Sequence, residues 1–289
     1  MPIHKLKVEQ LSEPIRLDLY LSHTDLGLSR SQIKRLFGEG RVEAGGHKVR
    51  PSFKVEGGEM VEIDQPESKA IRFSPEPIPL DIVFEDQHLV VINKPVGLVV
   101  HPAPGNESGT LANALLHHFR SLSDGYQGGY PGLVHRLDKN TSGLMLVAKD
   151  DETHQKLALQ LQDRSLSREY LAVIWGELRP PAGEIDLPLG RSRSDRRVMS
   201  SAATKTREAI TRYETIEPHT FLSYIRLRLL TGRTHQIRAH LKEKGRPVFG
   251  DPEYGGRRSQ LRGIEARHRH FAQQLLAQTE RQMLHAARL

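Results

Sequence analysis

The 289-residue chain contains no cysteine, one tryptophan and only 6% aromatic residues. Without cysteine there are no disulfides and no thiolate-bound metals, a composition that suits a reducing compartment. No apolar run approaches the ~20 residues of a membrane helix, and the opening MPIHKLKVEQ lacks the hydrophobic stretch of a secretory signal. The chain therefore reads as soluble, unexported and cytoplasmic. Phosphate-cradling loops are missing too: GNESGT, at 105–110, lacks the Gly-Lys-Ser/Thr ending, and no G-x-G-x-x-G follows a predicted strand. Nucleotide cofactors are not expected. Fifteen histidines remain as metal ligands, but His135 and Asp138 fall in a predicted loop, and His235 and His240 are five residues apart rather than the four that one helical face requires. No metal site is expected. Ser142 lies in a Thr-Ser-Gly turn and not in a Gly-x-Ser-x-Gly elbow, so a serine triad is unsupported.

What the chain does have is positive charge, unevenly placed. The net charge is +7, yet residues 186–289 carry 21 Lys/Arg against 10 Asp/Glu, leaving 21 against 25 for residues 1–185. Within the first part, residues 30–54 hold seven basic and two acidic side chains. Two separate basic regions suit a polyanionic partner, and equally suit a solvated surface with none.

Residues 16–64 read as a compact module. RLDLYLSH and SRSQIKRLFGEG have helical apolar spacing, the second capped by Ser29 or Ser31, and RVEAGGHKVRPS and KVEGGEMVEI read as strands joined by Gly turns. Arg30, Lys34, Arg35 and Arg41 give this module a footprint for a phosphate backbone. The Pro-, Ser- and charge-rich stretch 65–80 reads as a linker, placing domains at 1–64 and 81–289. Beyond it, strands are expected in DIVFEDQHLVVINKP, GLMLVAKD, REYLAVIWGEL, TREAITRYETIE and FLSYIRLRLLTG. Helices are expected at 110–122, in THQKLALQLQD and in HQIRAHLKEKG, the last capped by Thr234. Hairpin strands with irregularly interspersed helices predict an α+β fold with a mixed, mostly antiparallel central sheet.

The chemistry converges on HRLDKNTSGLMLVAKD, residues 135–150, where Asp138 stands between Arg136 and Lys139. Such a carboxylate serves as a structural ion pair, a general base or a nucleophile. TGRTHQIRAH supplies Arg233 and Arg238 from a distant part of the chain. A carboxylate held by a guanidinium stays ionised, a state that suits a nucleophile and spoils an acid.

GLVHRLDKNTSGLMLVAK, together with VVINKPVGLVVHP, REYLAVIWG, LLTGRTHQIRAHL and GRPVFGDPEYGG, resembles the RluA/RluD-type pseudouridine synthases in order and spacing. The resemblance covers residues 80–289, and residues 16–64 resemble an S4 RNA-binding domain. It implies the pseudouridine synthase fold and a cofactor-independent isomerisation of uridine in RNA, most like the enzymes of large-subunit (23S) ribosomal RNA. It further implies that Asp138 does the essential chemistry, Tyr170 stacks on the base, Arg238 pairs with the aspartate and Arg136 enters the space of the flipped nucleotide. The chain is expected to act as a monomer. Two departures stand out. The S4-like turn reads VEAGG where relatives have Asn before Gly, and the chain ends at RQMLHAARL, which predicts an exposed sheet edge. The rival readings are a tRNA synthase, a non-catalytic RNA-binding or ribosome-assembly protein, and a glycosidase-like hydrolase. The hydrolase would draw its second carboxyl from Glu169 or Asp163.

Overall fold

The computed structural model describes residues 3–24, 26, 28, 30–64, 74–103, 105–123 and 131–289, with the side chains of residues 30–32 left aside. They form two compact units, 3–64 and 74–289.

The first unit contains β1 (Ile3–Lys7), β2 (Ile15–Arg16), α1 (Leu17–Leu21), α2 (Arg30–Gly38), β3 (Val42–Ala44), β4 (His47–Lys48), β5 (Lys54–Val55) and β6 (Met60–Asp64). A sheet of order β1-β6-β3-β4 and the short β2-β5 pair accompany the two helices. Leu17, Leu21, Ile33 and Leu36, at helical spacing, meet Val42, Val55, Val61 and Ile63 from the strands in one core. A cap at Ser29 lies outside the described residues, while Ser31 stands inside α2.

The second unit begins earlier than its composition suggests. Residues 74–80, read as linker, are bound to its first helix. Asn113 Nδ2 donates to the Ser74 carbonyl at 2.9 Å and His118 Nε2 lies 2.8 Å from the Ile78 carbonyl, while Ile78 and Leu80 pack on the main core. Polarity and proline marked a linker, but the backbone groups of this stretch find partners. The elements that follow are β7 (Ile82–Glu85), β8 (Leu89–Lys94), α3 (Leu111–His118), β9 (Ser142–Ala148), α4 (Asp151–Gln162), β10 (Glu169–Trp175), β11 (Ala182–Asp186), β12 (Gly190–Arg191), β13 (Met199–Ser200), β14 (Ile210–Pro218), β15 (Leu222–Leu229), α5 (Gln236–Glu243), a 3-10 helix (Arg258–Gly263), α6 (Ala266–Gln278) and β16 (Leu284–Arg288).

Eight of these strands form one sheet in the order β11-β14-β15-β10-β16-β9-β8-β7. Every pairing is antiparallel except that of β16 with β9. The mixed, mostly antiparallel α+β architecture expected from the sequence is therefore present. RQMLHAARL does not leave an edge open. Its strand β16 fills the middle of the sheet between β10 and β9, and the edges are β7 and β11. Gly143 permits that insertion, because a Cβ there would overlap the Ala286 backbone and φ is +117°.

Side-chain alternation assigns the two faces. Tyr170, Ala172 and Ile174 of β10 join Val90, Ile92, Met145, Val147 and the α3 and α5 leucines in the main core. On the other face Val173 and Trp175 pack under Ala272 and Leu276 of α6, and Leu146 and Ala148 under Leu157 of α4. α4 starts where its sequence dictates, with the Asp150 carboxylate accepting the Thr153 N–H at 2.7 Å. α3 stops at His118, short of the expected 122, because Phe119 turns extended and packs on the main core.

Candidate active site

Asp138 lies in the loop that leads into β9. The Thr141 N–H donates to the Asp138 carbonyl at 3.0 Å, and the Gly97 N–H donates to that of Lys139 at 2.9 Å. Beneath the loop the fully buried Lys94, last residue of β8, donates from Nζ to the carbonyls of Pro95 (2.7 Å), Leu98 (3.0 Å) and Lys139 (3.2 Å). Burial pulls this amine down to about 8, opposed by the negative charge of Asp138. His135 also braces the loop: its Nε2 accepts the Leu146 N–H at 3.0 Å, and burial lowers its pKa to about 4, so the ring is neutral. The segment carrying Asp138 is thus pinned to β8 and β9 by buried donors and acceptors.

Arg238 arrives from α5. Its Nη1 donates to Asp138 Oδ2 at 3.2 Å, Nε and Nη2 grip Asp251 at 2.7 and 2.9 Å, and Nη2 reaches Glu253 at 2.6 Å. The residue is 3% exposed. Burial opposes its charge, but Asp251 and Asp138 outweigh that and raise its pKa further. Planar, multidentate pairing with carboxylates is what a guanidinium provides and an ammonium does not. Thr234 is not the cap of α5. His235 holds that position in the left-handed region (φ +53°), with Nδ1 2.9 Å from the Tyr254 hydroxyl and Nε2 3.8 Å from Asp138 Oδ1. The helix start is secured by Gln236, whose Oε1 accepts the Arg233 N–H at 3.0 Å and the Thr231 hydroxyl at 2.8 Å.

Asp138, Arg136, Tyr170 and Arg238 line a single cavity of about 360 Å3, with Leu229 and Leu284 as apolar wall. That volume suits a small organic ligand. Tyr170 is 6% exposed and belongs to the main core as well, so one ring closes the core and walls the cavity. Burial raises its hydroxyl pKa to about 12. Arg136 is exposed and lies on the cavity lining. Glu169 and Asp163, the acids that a hydrolase would require, are not among the lining residues. Glu169 alternates away from Tyr170 along β10, and Asp163 ends α4, where it accepts the Ser165 N–H at 2.8 Å. Among the described residues no cluster of three His or carboxylate side chains could hold a metal, and no helix is long and apolar enough to cross a membrane.

Sequence reasoning did not assign Lys94, Arg168, His235, Gln236, Asp251 or Glu253. Lys94 and the Asp251/Glu253 pair stood inside quoted motifs, INKP and GDPEYGG, and Arg168 stands two residues before Tyr170, the strand period that puts both on one face.

The family model for RNA pseudouridylate synthases matches residues 88–243 and that for the S4 domain residues 15–61. The chain belongs to the RNA pseudouridylate synthase family. A ribosomal large subunit pseudouridine synthase D of Zymomonas mobilis is 42% identical over the whole chain and 89% of its own length. An uncharacterized RNA pseudouridine synthase of Bacillus subtilis, YlyB, is also 42% identical, over 87% of this chain and 82% of the relative. Human RNA pseudouridylate synthase domain containing 1 shares the fold at a TM-score of 0.53 with 24% identity, across 73% of this chain and 78% of the other. As a pseudouridine synthase this chain is an isomerase, and its S4 domain is the first unit described above.

Proposed function

We propose that this synthase isomerises a uridine of large-subunit ribosomal RNA, with Asp138 acting on the extruded nucleotide. A uridine within an RNA helix hides its glycosidic bond and must be flipped out before it can react. In the cavity the base stacks on Tyr170, Arg136 takes the space that the nucleotide vacates, and Arg238 holds the Asp138 carboxylate in place. The net change is balanced: the C1′–N1 bond breaks, a C1′–C5 bond forms, a proton leaves C5 and one arrives at N1. The observation that carries this reading is the contact of Asp138 Oδ2 with Arg238 Nη1, 3.2 Å, beside Tyr170 in the cavity. A carboxylate so held is fixed in position, which is what attack or proton abstraction requires.

The choice of large-subunit RNA follows the relatives that carry that name. In this reading the chain acts as a monomer, in the cytoplasm with the ribosome. Residues 1–64 anchor RNA and residues from 74 onward catalyse. Pseudouridine mapping of total RNA from cells with and without the gene tests the target. Loss of one or a few sites in large-subunit RNA is expected; loss confined to tRNA or small-subunit RNA refutes the assignment.

A further inference from the structure

The cavity wall contains a second buried guanidinium with no role so far. Arg168 sits just before β10, its carbonyl accepting the Leu229 N–H at 3.1 Å, and its side chain lines the same cavity as Asp138 and Tyr170. It is 8% exposed, and its Nε has no hydrogen-bond partner among the described residues. Burial works against its charge, opposed among the described residues by the Tyr170 hydroxyl. Arg238, across the cavity, is neutralised by Asp138, Asp251 and Glu253. Among the described residues Arg168 pairs with no carboxylate.

The fold also makes room for this cation. A Cβ on Gly232, in the turn before α5, would stand 2.7 Å from Arg168 Nη1. Glycine at that position thus leaves the space that the guanidinium fills. A buried charge without a counter-charge destabilises the protein that holds it, so its retention points to a ligand that brings the charge. The substrate brings one negative charge per nucleotide. A neutral uracil carbonyl would accept a hydrogen bond but leave the charge unbalanced, whereas a phosphodiester matches both the fork and the sign.

We infer that Arg168 binds a phosphodiester flanking the flipped uridine and so fixes the nucleotide's ribose beside Asp138. This rests on the reading of the cavity as the seat of that uridine.

The test uses the full chain. Arg168→Met keeps an unbranched stem in the same space and removes the charge. Without RNA its melting temperature should rise by about 2–4 °C, as expected when an uncompensated buried charge is relieved. With total RNA from cells lacking the gene, which holds the target whichever RNA carries it, kcat/KM should fall about 100-fold. A stem-loop of the mapped target is then made with a neutral methylphosphonate on the 5′ or the 3′ side of the uridine. At one of these positions it should cost the wild type a factor similar to the mutation, and cost Arg168→Met nothing more. Arg168→Lys, which keeps charge without the fork, should lose about 10-fold and keep part of the methylphosphonate penalty. A lowered melting temperature with activity retained marks a structural arginine and overturns the inference. So do methylphosphonate penalties that are equal in wild type and both variants at both positions, or a coupling found only with a base lacking its O4. Asp138→Asn is assayed alongside: if it retains turnover, the cavity is not the active site, and it is the underlying reading that has failed.

Discussion

The arginines of the first unit and those around the cavity of the second are held in opposite ways. In the first, Lys34 and Arg35 of α2 are exposed, Arg35 stands 3.7 Å from Glu39, and Arg41 is shared between Glu39 at 3.0 Å and Asp64 at 2.7 Å. Around the cavity of the second, Arg238 is buried among three carboxylates, and Arg168 is buried with none among the described residues. Exposed pairs are screened and contribute about 0–1 kcal/mol, whereas removing one partner of a buried pair costs roughly 3–5 kcal/mol. The surface cations can therefore trade their partners for RNA phosphates at little cost, and the buried ones act through fixed geometry. Arg41, counted from sequence among the phosphate-facing residues, is held more firmly than Arg35, because two carboxylates grip it at shorter distances and it is less exposed.

This contrast predicts a graded set of effects. The largest belongs to Arg238. Arg238→Ala leaves Asp138, Asp251 and Glu253 without their shared cation, and kcat should fall about 1000-fold or more, with Arg238→Lys unable to restore it because an ammonium cannot grip three carboxylates as the fork does. Near-normal turnover in the lysine variant would reduce the role of Arg238 to charge alone. Next comes Tyr170. Tyr170→Ala opens the core and removes the stacking face, so it should lose about 3 kcal/mol of stability together with about 100-fold in turnover, while Tyr170→Phe keeps the ring and most of both. Equal kinetics in the two variants would leave Tyr170 a core residue only.

Lys94→Met should have a smaller effect, read by urea denaturation. It leaves three loop carbonyls unpaired, at about 1–3 kcal/mol. The folded chain holds this amine near 8, below its ordinary value when unfolded. Above pH 8 the unfolded state therefore binds more protons, so the wild type gains stability relative to the variant as pH rises from 8 toward the ordinary lysine range. A constant gap across that range would contradict a depressed Lys94. The smallest effect is expected at the surface. Lys34→Gln with Arg35→Gln should weaken RNA binding a few-fold and reduce the slope of log K against log salt by about 1.4, at roughly 0.7 per phosphate contact, with turnover at saturation unchanged. An unchanged slope would remove α2 from the RNA-binding surface.

How far the sequence reached follows the same division between local and distant contacts. The period-two runs of β8, β10 and β15 and the helical spacing of α1 and α2 are local, and they were legible. So was the loop of Asp138, because its residues are contiguous. The place of β16 was not, since it depends on pairing residues 142–143 with 285–286, 143 positions further along the chain. α6 escaped notice because only Ala272 and Leu276 of its 13 residues are buried, too thin an apolar stripe to show. The start of α5 was misplaced by one residue because a histidine at positive φ is seldom chosen over a threonine cap. Arg168 was silent for a different reason: what distinguishes it is the absence of a partner in space, which no spacing records.

The decisive experiment places both regions in one assay. Asp138→Asn and the Lys34/Arg35 double variant are each measured for binding and for single-turnover isomerisation of RNA from cells lacking the gene. Asn is nearly isosteric with Asp but carries no anion. Asp138→Asn should bind within a few-fold of wild type yet turn over less than about a hundredth as fast, since losing an essential carboxylate costs at least that much. The surface variant should show the reverse, weaker binding with an intact rate. Turnover by Asp138→Asn above that level would contradict the central claim, that the carboxylate held by Arg238 performs the isomerisation.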